Sequence, residues 1–135
     1  MRDTIKHKEL TSKILKAFYH VYNALGYGFL EKVYENALLL ELGKAGLRVT
    51  RQQPIKVYYE GSLIGDYFAD LVVENRVIIE LKVAEAICDA HVAQLRNYLR
   101  ATEIEGGLLL NFGTDPQFAR KYFSNESKRL QSDPF

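Results

Sequence analysis

Apolar residues recur at three- and four-residue steps near the start of the chain, at Leu10, Ile14, Phe18, Val21, Tyr22 and Leu25. That spacing predicts an amphipathic helix over residues 11–25, with Thr11 or Ser12 as its cap and Gly26 just past its end. A GYG linker follows, and Leu30, Val33, Tyr34, Ala37, Leu38 and Glu41 trace a second helix that ends near Gly43 or Gly46. After Gly46 the period changes to two. Residues 49–59, 63–73 and 77–83 read as three strands, connected through Glu60-Gly61 and Glu74-Asn75-Arg76. Pro54 marks the first of them as an edge strand or a bulge. The helical period returns over residues 89–101, with Val92, Leu95 and Leu99 as the buried stripe, and GGLLLNFG (106–113) is a short apolar strand. Asp115-Pro116 predicts the start of a last short helix, and residues 121–135 a polar, frayed tail. The order α-α-β-β-β-α-β predicts one α/β domain over residues 1–135 with a central mixed sheet.

Composition narrows the class. The chain has 135 residues, 47% hydrophobic and 26% charged, as expected for a globular domain with a single core. Its formal net charge is +1, so no global basic field marks a nucleic-acid partner, and phosphate contacts need a local patch. Cys88 is the only cysteine, which excludes an intrachain disulfide and a four-thiolate zinc site. His7, His20 and His91 are scattered, against a histidine-rich metal site. The sequence MRDTIKHKEL has no signal-peptide core, and no run reaches the roughly 18 apolar residues of a membrane span. These features predict a cytoplasmic protein with no membrane segment.

The charges that interrupt the strands carry the chemistry. In YFADLVVENRVIIELKV (67–83), Asp70, Glu80 and Lys82 stand among β-branched and aromatic residues. Alternation puts Glu80 and Lys82 on one face. A two-residue turn at Asn75-Arg76 would place Asp70 opposite Leu81. The three-residue loop Glu74-Asn75-Arg76 places it opposite Glu80, segregates all three charges, and suits the tolerance of Asn for left-handed backbone angles. Two carboxylates about 5 Å apart then repel, with one ammonium nearby. A hard divalent cation resolves the conflict, because Mg²⁺ favours one or two carboxylates and keeps waters for substrate. A solvated surface salt bridge is the competing account of the same spacing.

These residues resemble a known group. Asp70 followed by Glu80-Leu81-Lys82 is similar to the signature of the PD-(D/E)xK nuclease superfamily, with Ala69 in place of the usual Pro before the Asp. GFLEKVY sets Gly28, Glu31 and Tyr34 in a G-x-x-E-x-x-Y pattern and resembles the bacterial family named GxxExxY after that string. The resemblance extends from Leu10 to about Phe112. QLRNY, with Gln94 and Tyr98 four residues apart on one helix face, is similar to the Q-x-x-x-Y element of RecB-type nucleases.

The resemblance implies a restriction-endonuclease-like fold and a divalent-metal-dependent nuclease that hydrolyses phosphodiester bonds in DNA, with RNA as a further substrate class. Asp70, Glu80, the Leu81 carbonyl and Glu31 would hold Mg²⁺, for which Mn²⁺ would substitute. Lys82 would position or activate the attacking water, and Gln94 would orient Lys82 or the phosphate. Tyr34 and Tyr98 are supporting residues, Tyr34 as a packing residue with a hydrogen-bonded hydroxyl. Glu35 is the rival carboxylate to Glu31. With Gly28 as cap, Glu31 would fall at the third helical position, where a carboxylate also satisfies free amides. His91 reads as a helix-surface residue and Cys88 as a small packing residue at the helix entry. Homodimers are common in the superfamily and are expected here on that ground. The alternative function is a nuclease-like fold without turnover that serves as a nucleic-acid or protein interaction module.

Overall fold

The first amphipathic stripe reaches further toward the N-terminus than its apolar residues indicate. The computed structural model describes residues 2–128, with side chains from His7 onward. Its first helix, α1, runs Arg2–Leu25. His7 and Thr11 are buried on the same stripe as Leu10, Ile14, Phe18 and Val21, so polar side chains at helical spacing hide the first turns from a hydrophobic pattern. Thr11 is thus a mid-helix residue and not a cap. The second helix, α2, runs Glu31–Lys44 and is capped by the extended Leu30. Gly28 lies two residues before that cap, at φ 118°, a conformation open to glycine because it has no Cβ. Glu31 is therefore the first helical residue and not the third.

Five strands follow: β1 (Val49–Tyr59), β2 (Ser62–Val73), β3 (Val77–Lys82), β4 (Gly106–Phe112) and β5 (Pro116–Tyr122). Helix α3 (Asp89–Arg100) crosses between β3 and β4. Among the described residues the sheet order is β1-β2-β3-β4-β5, with β3 and β4 parallel and the other pairs antiparallel. The hairpin between β2 and β3 turns on Glu74-Asn75-Arg76, with Glu74 and Asn75 at φ 52° and 57°. Val73 pairs with Val77 and Leu71 with Ile79, the register of the three-residue loop, in which Asp70 and Glu80 come next.

Burial explains the near-continuous apolar runs of β3 and β4, since a strand covered on both faces loses its two-residue period. On one face α1 and α2 pack against Leu71, Val73, Ile79, Leu81, Leu108 and Leu110. On the other, Leu95 and Leu99 of α3 pack against Val72, Ile78 and Leu109. Each such side chain contributes roughly 1.5–3 kcal/mol of transfer free energy. A handful of them in β3 is enough to carry Glu80 into the interior, where it is 5% exposed.

The C-terminal part departs from the sequence expectation. Asp115-Pro116 opens no helix, because residues from Pro116 form β5 along β4, from Phe112↔Pro116 to Gly106↔Tyr122. The apolar β4 would otherwise present an unpaired edge, and Pro is tolerated at the first position of an edge strand. The tail is not frayed at residue 121 either. A single 3-10 turn spans Asn125–Ser127, and the buried Lys128 donates from Nζ to the carbonyls of Thr102 at 2.9 Å and Ile104 at 2.6 Å. Burial lowers that ammonium's pKa to about 8. The rest of the expected tail, residues 129–135, lies outside the described residues. No described helix is long and apolar enough to cross a membrane.

Candidate active site

The ladder between β2 and β3 stops at Leu71↔Ile79, one step short of Asp70 and Glu80. Beyond it the carboxylates replace strand carbonyls as acceptors. The Asp70 N–H donates to Glu80 Oε2 at 2.8 Å, and the Leu81 N–H donates to Asp70 Oδ2 at 2.8 Å. Alternation in β2 also breaks here: Leu71 and Val73 pack toward α1 and α2, while both Val72 and Ala69 pack toward α3. Opposite, Gln52 of β1 takes a left-handed φ of 48°, and Ile55 packs toward α3. Asp70 thus sits at the point where the β1–β2 hairpin rolls over, rather than on one flat sheet face. The sequence reading missed this roll; its only local signs are the polar Gln52-Gln53 and Pro54 within β1.

Electrostatics follow from that crowding. Burial, and then the charge of Asp70, push the Glu80 pKa up to about 8. Burial raises the Asp70 pKa too, opposed by the hydrogen bonds from the Leu81 N–H and the Gln52 side chain and by Lys82. Lys82, half-buried at the end of β3, has no ion-pair or hydrogen-bond partner among the described residues, yet its charge favours ionisation of Glu80, Asp70 and Glu31 alike. Glu31 lies at the exposed start of α2, where partial burial and the charge of Asp70 raise its pKa. The structure therefore brings Asp70, Glu80, Lys82 and Glu31 into one electrostatic neighbourhood.

The rival carboxylate has other partners. Glu35 is buried and accepts from Arg51 Nη2 at 3.1 Å, Lys32 Nζ at 3.3 Å and Gln52 Nε2 at 3.3 Å. Paired with Arg51 and Lys32, it anchors α2 to β1, and its charge still raises the pKa values of Asp70 and Glu31. Tyr34 anchors the loop before α2. Its ring stacks on Phe112 with centroids 4.4 Å apart, its hydroxyl donates to the Gly26 carbonyl, and the Phe29 N–H donates to that hydroxyl at 3.2 Å. The G-x-x-E-x-x-Y string is thus a device that fixes where Glu31 begins its helix: Gly28 makes the turn and Tyr34 holds it.

On the other side, α3 begins with the Cys88 N–H donating to His91 Nδ1 at 3.3 Å. Cys88 is exposed, so it is a helix-entry residue and not a packing one. Tyr98 is buried; burial, then the charges of Glu80 and Asp70, push its pKa up to about 12. Gln94, one turn earlier, lines a cleft with Tyr98 and Tyr67. It makes no hydrogen bond to Lys82 among the described residues.

Asn111 is a residue the sequence reading passed over, although a lone amide inside LLLNF is a visible signal. It is fully buried. Its Oδ1 accepts the Ala84 N–H at 2.9 Å and its Nδ2 donates to the Ala84 carbonyl at 2.9 Å. It pairs with Lys82 in the parallel ladder, so the amide straps down the chain just after Lys82.

The donor set fits a hard divalent cation. Two enclosed carboxylates, each gripped by one backbone N–H, still have lone pairs to offer, since a carboxylate has about four acceptor positions. Burial raises both pKa values, and a cation beside the two groups would favour their ionised forms. Among the described residues no three His, Cys, Asp or Glu side chains form a ready metal-ligating group, but Mg²⁺ needs only one or two carboxylates beside carbonyl and water ligands.

Comparisons with known proteins bear on the family and the fold. A family model described as the PD-(D/E)XK nuclease superfamily matches residues 8–122. No curated protein matches the chain. Among solved structures, the crystal structure of SSO0001 is similar with a TM-score of 0.55 and 17% sequence identity, over 91% of this chain and 63% of that one. The present chain thus spans less than two thirds of that relative's length, and at this identity the likeness is one of fold. The element order, the mixed sheet and the family match together show that the chain belongs to the PD-(D/E)XK nuclease superfamily, with its restriction-endonuclease-like fold.

Proposed function

We propose that this protein is a divalent-metal-dependent nuclease that hydrolyses phosphodiester bonds in DNA, of the GxxExxY type within its superfamily. The observation that carries the reading is the bracing of Asp70 and Glu80 at the end of the β2–β3 ladder, with Lys82 beside them. Members of the superfamily generally use divalent metals, and the donor chemistry favours Mg²⁺, with Mn²⁺ as a substitute. Asp70, Glu80 and the Leu81 carbonyl would hold the ion, and Glu31 at the rim would act through water. When bound, it would supply Lewis-acid polarisation of the phosphate and a more acidic water.

The remaining work falls to the chain's own groups. Lys82 Nζ orients the attacking water through hydrogen bonds and offsets the negative charge that builds on the phosphate oxygens. As water oxygen bonds to phosphorus it releases a proton to solvent, the ester P–O bond breaks, and the leaving oxygen takes up a proton from solvent. Gln94 and the Tyr98 hydroxyl approach from the α3 side as neutral hydrogen-bonding groups for Lys82 or the phosphate. Tyr34 and Gly28 fix Glu31 at the helix start. The lone exposed Cys88 suits the reducing cytoplasm, where thiols stay unpaired. A homodimer is part of the proposal on the superfamily's pattern.

The test is cleavage of single-stranded, double-stranded and branched DNA with and without Mg²⁺ or Mn²⁺. Metal-dependent cleavage that disappears in Lys82→Ala supports the reading. Absence of cleavage on every substrate, with the fold intact, would leave the interaction module in its place.

A further inference from the structure

Beyond Tyr67 the β1–β2 hairpin leaves the body of the molecule as an arm. Tyr59, Leu63 and Ile64 are 60%, 50% and 63% exposed. Between this arm and α3 lies a cleft of about 660 Å³, within the roughly 300–1,000 Å³ range of small-molecule sites. The arm contributes Tyr67 and Ile64 to its lining and α3 contributes Gln94, Asn97, Tyr98 and Arg100. The Tyr67 ring is half-exposed and lies 5.8 Å from that of Tyr98 at 42°. A Cβ on Gly65 would come within 2.8 Å of Tyr67 Cε2, so the tyrosine ring rests over a strand position kept bare. Tyr98 packs in one cluster with Ala69 and Ile78, the neighbour of Asp70 and the residue two before Glu80 on the same face of β3, so the cleft adjoins the carboxylates.

We propose that this cleft binds unpaired nucleobases, stacked on Tyr67, and thereby directs the carboxylate site to single-stranded nucleic acid. The chemistry of the lining selects that ligand. Arg100 is the only charged side chain in it, whereas a duplex turns its phosphates outward and is held chiefly by lysines and arginines. An unpaired base offers a π face to an aromatic ring, and stacking of that kind needs little charge. The Gln94 and Asn97 amides each carry donors and an acceptor for base edges. Space for about one or two nucleotides, a half-exposed ring and two amides make a base pocket; a duplex brings no free base face along its length.

The inference rests on the nuclease reading for the role of the adjoining carboxylates, but its test is binding alone. Fluorescence anisotropy in EDTA compares a short labelled oligothymidylate with a duplex of the same length. The single strand is expected to bind roughly tenfold or more tighter than the duplex at equal salt. Tyr67→Ala should weaken single-strand binding by about tenfold, and Tyr67→Phe should retain it. Gly65→Ala keeps the ring but displaces it, and should weaken the single strand in the same direction; thermal melts confirm that each variant folds. Equal binding of strand and duplex, or wild-type affinity in Tyr67→Ala, overturns the inference. So does a Tyr67→Ala protein whose sedimentation changes while oligonucleotide affinity does not, since the cleft would then hold a second copy of the chain. Cleavage with Mn²⁺ separates the two readings. Tyr67-dependent strand binding without cleavage leaves the inference standing and removes the nuclease; Tyr67-independent cleavage of strand and duplex alike does the reverse.

Discussion

The Glu80 carboxylate accepts the backbone N–H of Asp70 at 2.8 Å, while the Asp70 carboxylate accepts the N–H of Leu81 at the same distance. Each acidic residue thus holds the main chain at or beside the other. Neither side chain can swing away without stranding a buried donor, at about 1–3 kcal/mol. The result is a pair of carboxyl groups kept close by the backbone, which is the preorganisation a cation site requires once both are ionised.

That arrangement makes stability depend on pH. The Glu80 pKa of about 8 in the fold lies above its ordinary 4.5, so the native protein holds a proton that the unfolded chain has released between those values. Stability of the metal-free protein should therefore be highest near the acid end of that window and fall as pH rises toward 8. Asp70, also shifted upward, adds in the same direction. Glu80→Gln keeps an amide oxygen for the Asp70 N–H and should flatten the profile. Urea melts across the window check this, and an unchanged slope in the variant would assign the dependence to other groups.

Lys82 should be dispensable for folding and essential for cleavage. It is half-buried and its ammonium makes no ion pair or hydrogen bond among the described residues, so Lys82→Ala should shift stability by well under about 1 kcal/mol. Lys82→Arg should also fail in catalysis, because a planar fork does not reproduce a compact ammonium beside a small ion. Turnover at the wild-type rate in either variant would remove Lys82 from the mechanism.

The register of the β2–β3 hairpin was legible because two independent signals agree on it: the spacing of Asp70 and Glu80, and an Asn in a three-residue loop. The order of elements through β4 was legible from periodicity for the same reason. Other features depend on partners distant in sequence. Pro116 reads as a helix start in isolation and becomes a strand only because β4 offers an edge. The first turns of α1 are hidden by His7 and Thr11, polar residues that are buried by what packs on them. The roll at Asp70 needs Gln52 in a left-handed conformation, which no residue-type preference announces. Glu31 and Glu35 are both acidic residues on one helix, and only burial and the contacts of Arg51, Lys32 and Gln52 tell them apart.

Asn111 offers a structural control. Its amide makes two 2.9 Å hydrogen bonds to Ala84 in a fully buried position. Asn111→Leu would leave both Ala84 groups without their partner, so a loss of about 2–4 kcal/mol is expected. Because the strap lies just past Lys82, the variant should also lose cleavage at temperatures where it remains folded. Full activity in a folded, destabilised variant would show that the strap serves stability alone.

Gln94→Ala tests the α3 side of the site. Gln94 lines the cleft and its side chain makes no hydrogen bond among the described residues, so its removal should leave the melting temperature almost unchanged. If the amide orients Lys82 or the phosphate, cleavage should fall by more than about tenfold, the lower range for a positioned polar group. A wild-type rate would leave Leu95 and Leu99 as the reason for the helix and Gln94 as a bystander.

A cation that binds the carboxylates should announce itself without any substrate. An ion that binds only the native state stabilises it by RT ln(1 + [L]/Kd), about 1.4 kcal/mol at ten times Kd. For a domain of this size that raises the melting temperature by roughly 3 to 6 °C. The shift should appear with millimolar Mn²⁺ or Mg²⁺ and not with NaCl of matched ionic strength. It should grow as pH rises toward 8, because the ion competes with the proton on Glu80. Asp70→Asn retains a carbonyl oxygen for the Leu81 N–H while removing one enclosed charge. Its metal-free melting temperature should therefore rise slightly, and its response to the ion should vanish. A surface salt bridge gives the opposite first result, since losing Asp70 would then only weaken the fold. Equal Mn²⁺ shifts in wild type and Asp70→Asn would place the ion elsewhere and take the metal site away from this hairpin.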